Sequence, residues 1–153
     1  MLGIPLIIFG VLLGCSHKLP DVLVNEKMAA VRLEDNKLYF LKKARSNFTN
    51  RTWLQRSGQK DFLFLNKNDY NDMISCDQDV CVYSKGGRSI AFVYSDGWSD
   101  CDGFDLVINL NDRPGCSNSI NKKDLSNNGA HAIYISGAGL KLISAREGRR
   151  KIW

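Results

Sequence analysis

The chain has 153 residues, of which 44% are hydrophobic and 24% are charged, and its formal net charge is +5. This length fits one folded domain with a single core. The composition excludes an intrinsically disordered chain, because such chains lack the apolar residues that a core needs.

The charges are segregated along the sequence. Residues 36–60 contain seven Lys or Arg residues and no acid, whereas residues 61–112 contain ten Asp and three basic residues. Residues 113–153 are basic again, with eight Lys or Arg residues against two acids. These blocks either pair with one another in the fold or leave a basic surface for an anionic polymer or for lipid headgroups.

The first sixteen residues carry no charged side chain and predict a hydrophobic helix. Such a helix would be about 24 Å long, short of the roughly 30 Å of a bilayer core. Three interpretations stay open: the core of a signal peptide, a lipoprotein signal with Cys15 as the lipidated residue, or the end of a longer membrane helix. Each makes residues 1–17 a hydrophobic leader and places residues 18–153, a single α+β domain, beside a membrane.

The first part of the domain predicts short strands followed by one helix. Apolar runs separated by polar clusters are typical of a meander, and Ser46 is placed to cap the helix that Ser57-Gly58 ends. The predicted elements are strands over 21–25, 29–33 and 38–41, a helix over 47–56 and a short apolar segment over 62–65.

The second part predicts two hairpins and a buried strand. Residues 80–84 and 89–94 form a hairpin around Gly86-Gly87. The run 106–110 is continuously apolar, which is typical of a strand buried on both faces. The remaining predicted elements are helical turns over 69–73 and 124–128, a short helix over 96–102 and a closing hairpin from 130–135 and 140–145.

Four cysteines outside the leader form an even set: Cys76, Cys81, Cys101 and Cys116. Structural zinc sites favour ligand pairs two to four residues apart, and here only one pair comes close to that spacing. Two disulfides are therefore favoured over a zinc site or free thiols, with three connectivities formally open, of which the pairing of sequence neighbours is the simplest. Disulfides persist outside the cytosol, so they indicate an exported or membrane-tethered domain.

The sequence offers little for an active site. Its histidines, His17 and His131, are too few for a histidine-based metal hydrolase site, and no phosphate-binding or dinucleotide-binding glycine motif is present. The aspartates of 96–105 do not have the spacing of an EF-hand loop. We predict no catalytic residue, no bound metal and no cofactor, with His131 as a structural residue at the start of a strand.

Several individually weak motifs occur in a characteristic order. They are Pro20–Val24, Ala30–Arg32, Trp53-Leu54, Cys76-Asp77 with Cys81, Cys101 before Asp105–Val107, Cys116, Gly129–Ala132 and a terminal Gly148–Trp153. In this order they resemble the C-terminal soluble part of ComEC-type competence proteins, the inner-membrane DNA-internalisation channels, in the variety found in alphaproteobacteria. The resemblance covers residues 20–153, although the family usually ends Gly-Arg-Arg-Pro-Trp and this chain has Lys151-Ile152 before Trp153.

The resemblance implies a degenerate metallo-β-lactamase-like domain, rich in short strands and without the histidine metal ligands of that fold. It also implies a non-enzymatic C-terminal domain or split fragment of a membrane DNA-uptake channel, with the soluble domain on the extracytoplasmic side of the inner membrane. The expected partners are DNA, the channel part of a ComEC-type protein, and the membrane through residues 1–17. An envelope lipoprotein with a structural or interaction role is the alternative. The expected DNA or partner contacts are the basic residues Lys42, Lys43, Arg45, Arg51, Arg56, Arg146, Arg149, Arg150 and Lys151.

Overall fold

The computed structural model describes residues 18–42, 48–65, 72–98, 100–111 and 116–150. Residues 148–150 are described by their backbone alone. The leader over 1–17, including Cys15, and the helix cap at Ser46 lie outside the described residues. Within these ranges the chain forms eleven strands and three helices. In chain order they are β1 (Val22–Val24), β2 (Ala29–Arg32), β3 (Leu38–Phe40), α1 (Phe48–Arg56), β4 (Leu63–Phe64), β5 (Ile74–Cys76), β6 (Val80–Lys85), β7 (Arg88–Val93), β8 (Leu106–Asn109), β9 (Ser119–Asn121), α2 (Lys122–Asn128), β10 (His131–Ser136), β11 (Gly139–Ser144) and α3 (Ala145–Arg150).

Six of the strands form a first sheet in the order β11-β10-β1-β2-β3-β4. The neighbours are antiparallel except for β3 and β4, which run parallel. The predicted meander is confirmed as β1–β2–β3, and the closing hairpin as β10–β11. Because β10 pairs with β1, a strand from the last part of the described chain lies beside the first described strand.

The other five strands form a second sheet in the order β5-β6-β7-β8-β9. The β6–β7 hairpin is confirmed, and its loop residues Gly86 and Gly87 have φ values of 56° and 73°. Positive φ at both loop positions is the requirement of the tight two-residue hairpin turn, and glycine meets it without steric cost. Strand β8 runs parallel to both of its neighbours and is buried along its whole length, as the apolar run predicts.

One core fills the space between the two sheets. Val22, Val31 and Ile133 from the first sheet and Phe92 and Ile108 from the second are fully buried in it. Burying a side chain of this size contributes about 1.5–3 kcal/mol. The strand-rich α+β class is thus confirmed, with two sheets sharing one interior.

Helix α1 covers part of the outer face of the first sheet. Trp53 and Leu54 of the helix pack on Ala30, Leu38 and Phe40 of β2 and β3. The rings of Phe40 and Trp53 stack with their centroids 6.4 Å apart. The helix therefore covers the β2–β4 half of this face.

The outer face of the second sheet is covered by a loop instead of a helix. Trp98 and Phe104 lie over Ala91 and Val107, and their ring centroids are 5.8 Å apart. The loop is held by Cys101, which is bonded to Cys116 on the same face.

The predicted helix over 96–102 is therefore wrong. Its described residues form turns, Gly103 has a φ of 88°, and the Asp102 N–H donates to the Asp100 side chain. Aspartate side chains that bond to the nearby backbone compete with helical hydrogen bonds. Strands β5 and β9 and helix α3 form where no such element was predicted, and residues 69–71 of the predicted turn over 69–73 lie outside the described residues.

Helix α2 begins at a capping box. The Asn121 side chain accepts from the Asp124 N–H, and the Asp124 carboxylate accepts from the Asn121 N–H. These reciprocal bonds satisfy backbone donors that the first helical turn leaves without partners. The helix extends the predicted turn over 124–128 and ends before Gly129, which has a φ of 77°. Within the described residues, none of the helices combines the length and apolar content needed to cross a bilayer.

Two disulfides hold the second sheet and its cover. Cys76 is bonded to Cys81 across the β5–β6 pair, and Cys101 is bonded to Cys116, which is the pairing of sequence neighbours. Asp77 shapes the intervening turn, because its side chain accepts from the N–H groups of Asp79 and Val80. That turn places the first two cysteines directly opposite each other.

We expect the two disulfides to stabilise the fold unequally. Replacing Cys76 and Cys81 by Ala should lower the free energy of unfolding by about 2 kcal/mol, and replacing Cys101 and Cys116 by about 3 kcal/mol. The difference arises because the second bond closes the longer loop in the unfolded chain, with a sequence separation of 15 residues against 5. Urea denaturation followed by circular dichroism measures both values.

Thiol counting provides the control for this comparison. In denatured, unreduced protein, Cys15 should be the one reactive thiol. Reduction should add four more reactive thiols, those of the remaining four of the five cysteines. Four additional thiols before reduction, or equal stability with and without reductant, would contradict the stabilising role.

Candidate functional site

The predicted basic contact residues that the structure describes lie on three different segments of the chain. Lys42 lies with its ammonium 3.7 Å from the centre of the Tyr94 ring, which follows β7 in the second sheet. Arg51 and Arg56 are exposed on α1, and Arg146 is exposed in the first turn of α3. Arg149 and Arg150 end α3, without described side chains, whereas Lys43, Arg45 and Lys151 lie outside the described residues.

The charge blocks of the sequence occupy different parts of the fold. The acidic block is described over 61–65, which contributes β4 to the first sheet, and between residues 72 and 111, where it builds β5 to β8 and their loops in the second sheet. Residues 36–60 contribute β3 and α1 to the first sheet and its cover. The ion pairs seen are Lys18–Asp21, Lys27–Glu26, Lys85–Asp21 and Arg88–Asp105, and none of these four joins the block 36–60 to the acidic block.

A groove of about 640 Å³ lies on the outer face of the first sheet beside α1. Leu23, Ala132 and Ile143 line its floor and stand in register on the adjacent strands β1, β10 and β11. The same row continues to Ala30 on β2, which is already covered by α1. The groove is therefore the half of the sheet face that α1 leaves open.

The walls of the groove bring positive charge to this apolar floor. Trp53 and Arg56 of α1 form one wall, and Lys18 and the following residues before β1 form the other. The charged members of the lining are Lys18, Arg32 and Arg56, and the described lining contains no carboxylate. Such a surface favours an anion that carries apolar groups.

Arg32 is the buried cation of this lining. Its Nε donates to the Pro20 carbonyl at 3.1 Å, its Nη1 to the Asn36 carbonyl at 2.6 Å and its Nη2 to Ser57 Oγ at 2.9 Å. Burial lowers the pKa of the guanidinium, and the neighbouring charge of Asp21 opposes that shift. One side chain thus ties β2, the segment before β1 and the end of α1 together.

Asp21 is the buried anion behind the groove, with 1% of its surface exposed. Its Oδ1 lies 2.6 Å from Lys85 Nζ, and its Oδ2 accepts from the Ile135 N–H at 2.7 Å. Lys18 Nζ lies 3.6 Å from the same Oδ2 and also donates to the Ile135 carbonyl. A buried carboxylate needs such partners because desolvation of its charge is costly.

Tyr83 links this polar cluster to the second sheet. Its hydroxyl donates to the Arg32 carbonyl at 2.6 Å, across the interface between the sheets. Burial, followed by the negative charge of Asp21, raises the pKa of Tyr83 above its ordinary value. The phenol therefore stays a neutral donor throughout the physiological pH range.

His131 lies at the start of β10, where a structural histidine was predicted, and it is buried. Its Nδ1 is 2.9 Å from the Gly129 carbonyl and donates to that oxygen, because a carbonyl can only accept. The ring lines both the groove and a neighbouring cavity of about 400 Å³ that includes Arg146 and Glu147. Across the described part of the chain, no group of three or more His, Cys, Asp or Glu side chains is placed to hold a metal ion.

The Asp105 side chain, in the loop before β8, accepts two hydrogen bonds that hold local structure together. It accepts from the Ser89 N–H and from Arg88 Nη1, both at 2.8 Å. The backbone bond from Ser89, and then the bond from Arg88, lower the pKa of Asp105. Its carboxylate thus holds the start of β7 against the loop before β8.

Sequence reasoning named Asp21, Arg32 and Trp53 within the resemblance motifs but predicted none of them as a site residue. Two of them carried a usable signal, because a charged residue inside or next to a short apolar run marks a candidate buried ion. Arg32 stands in the run 29–33 and Asp21 starts the run 21–25. Trp53 offered no comparable signal, since a tryptophan on an amphipathic helix usually belongs to the core.

No family model, curated protein or solved structure matches this chain.

We expect Asp21 to be indispensable for stability. Asp21→Ala leaves Lys85 and the Ile135 N–H without their partner, which should lower the free energy of unfolding by about 3 kcal/mol. Asp21→Asn should cost less, because the amide oxygen still accepts from the Ile135 N–H. Urea denaturation measures both changes.

Asp61→Ala is the matched control, because Asp61 is exposed on the same sheet's border and carries the same charge. Its effect should stay within about 0.5 kcal/mol. If Asp21→Ala proved as neutral as Asp61→Ala, the Asp21 network would not stabilise the fold.

Proposed function

We propose that this chain is a non-enzymatic, membrane-tethered domain of a DNA-uptake apparatus. It would correspond to the C-terminal soluble part of a ComEC-type channel protein, or to a split fragment of one, on the extracytoplasmic side of the inner membrane. In this proposal the two packed sheets are a degenerate form of the metallo-β-lactamase-like arrangement.

The convergence of the resemblance motifs at one corner of the fold is the observation that carries the proposal. The motif Pro20–Val24 pairs with Ala30–Arg32 on one side and with Gly129–Ala132 on the other. Trp53, from a fourth motif, packs on Ala30. Four of the resemblance motifs, far apart in sequence, thus form one contact unit, which is consistent with a shared domain.

The disulfides support the proposed compartment. Cys76–Cys81 and Cys101–Cys116 both belong to resemblance motifs, and both lie in the second sheet and its cover. Disulfides of this kind persist in the periplasm and on the cell surface but are rare in the cytosol. An extracytoplasmic position is therefore the one that suits these bonds.

Direct contact with DNA would use the basic residues at the end of the described chain. Arg146 is exposed in α3, and Arg149 and Arg150 follow in the same helix. Arginines bind phosphate oxygens through their guanidinium groups, and this contact carries no base specificity. The expected binding is therefore weak, independent of sequence and sensitive to salt.

Fluorescence anisotropy with short single-stranded and double-stranded DNA tests this contact. The full chain in detergent micelles should bind duplex DNA with an affinity that falls as salt is raised. The variant Arg146→Gln, Arg149→Gln, Arg150→Gln should bind more weakly, and each lost phosphate contact should reduce the salt slope by about 0.9.

The matched control removes the same charge elsewhere, with Lys37→Gln, Lys60→Gln and Lys141→Gln, three exposed lysines outside α3. It should retain the salt slope of the unaltered chain. Equal losses in both variants would indicate a response to net charge alone, and absence of binding would contradict direct DNA contact.

The alternative of an envelope lipoprotein is favoured by one feature, the Leu12–Cys15 sequence of the leader. Mass spectrometry of the mature N-terminus distinguishes the two proposals. A diacylated Cys15 as the first residue supports the lipoprotein, whereas an intact leader supports the membrane-helix tether.

A further inference from the structure

We infer that the groove beside α1 binds the headgroup of an anionic phospholipid and thereby orients the domain on the bilayer surface. This inference rests on the proposed membrane tether through residues 1–17. It goes beyond the proposed function because it assigns a ligand class to a site outside the predicted DNA contacts of α3.

The groove lies where the chain would leave the membrane. Lys18, Leu19 and Pro20 follow the leader directly and form one of its walls. Consecutive Cα atoms are about 3.8 Å apart, so a leader that ends in the bilayer places this wall within several ångströms of the headgroups. Leu19 is 42% exposed, which suits a side chain that contacts the membrane interface.

The charges of the groove match an anionic headgroup. Lys18, Arg32 and Arg56 line it, and Asp21, which is not part of the lining, pairs with Lys18 and Lys85 and accepts from the Ile135 N–H. The described residues give the Arg56 side chain neither an ion pair nor a hydrogen bond, so its guanidinium is the cation that a headgroup phosphate would meet. Each Lys or Arg near an anionic bilayer surface strengthens binding there.

The floor of the groove suits the glycerol end of a lipid. Leu23, Ala132 and Ile143 form an apolar row, and the half-buried Tyr134 stands beside it. Tyrosine is enriched at membrane interfaces because its ring is partly apolar and partly polar. A cavity of about 640 Å³ lies within the size range of small-molecule sites.

Two other occupants fit the groove less well. Leader residues 1–16 carry no charged side chain, so the leader would leave the Arg56 guanidinium without an anionic partner. A single nucleic-acid strand needs open aromatic faces for base stacking, but Trp53 is 7% exposed and its ring packs on Phe40. The combination of surplus positive charge and an apolar floor favours a phospholipid.

Photo-crosslinking tests this assignment. The full chain is reconstituted in phosphatidylcholine vesicles that contain increasing fractions of phosphatidylglycerol bearing a diazirine on its headgroup. Mass spectrometry should then find adducts on peptides that line the groove, those around Leu19, Arg56, Ala132 and Ile143. In Arg56→Gln, the phosphatidylglycerol fraction that gives half-maximal labelling should rise about fivefold.

Lys60→Gln is the matched control, because Lys60 is an exposed cation four residues beyond Arg56 and outside the groove. It should label like the unaltered chain. Ala132→Phe, which fills the floor without changing charge, should reduce labelling of the groove while circular dichroism shows the fold retained.

The failures of the two proposals can be told apart. Loss of the chain from vesicles washed with alkaline carbonate overturns the membrane tether and this inference with it. A chain that stays with the vesicles but is labelled only in the leader overturns the lipid site alone. Protection of the groove in detergent without lipid would assign the groove to the leader. Displacement of the lipid from the groove by short single-stranded DNA would assign it to nucleic acid. Either result would also overturn the lipid site.

Discussion

The fold depends on one buried carboxylate. Asp21 lies just before β1, and its two oxygens are bonded to Lys85 of the second sheet and to the Ile135 N–H of the first. Its backbone also pairs with Ile133 and Arg32 on the two neighbouring strands. Because an unpaired buried charge would be costly, the two sheets and the entry of the chain are fixed relative to one another at this point.

The same network positions the groove. Arg32 holds the Pro20 carbonyl and Ser57, so the segment before β1 and the end of α1 stand at a set distance on either side of the open sheet face. Tyr83 adds a bond from the second sheet to the Arg32 carbonyl. The walls of the groove are therefore built by buried polar contacts and its floor by strand register, while the residues that would meet a ligand remain at the surface.

The sequence predicted those parts of the fold that depend on local pattern. The meander of β1–β3, the Gly86-Gly87 hairpin and the buried strand β8 all follow from alternation, turn residues or an apolar run. The region 96–102 was mistaken for a helix because the contacts that shape it, the Cys101–Cys116 bond and the packing of Trp98 against Phe104, are contained in no local pattern. The groove was out of reach for the same reason, since Leu23 and Ala132 come together only through the pairing of β1 with β10.

The charges that are segregated along the sequence lie on different sides of the described fold. The described acidic residues from 72 to 105 belong to the second sheet and its loops, whereas the basic groove lies on the outer face of the first sheet. An anionic surface attracts one of these faces and repels the other, and both effects turn the domain the same way. The proposed tether would join the domain at residue 18, which lines the basic groove, so anchoring and electrostatics would favour a single orientation. A domain with its acidic loops toward the bilayer would oppose both, which is why the groove and the charge blocks are best understood together.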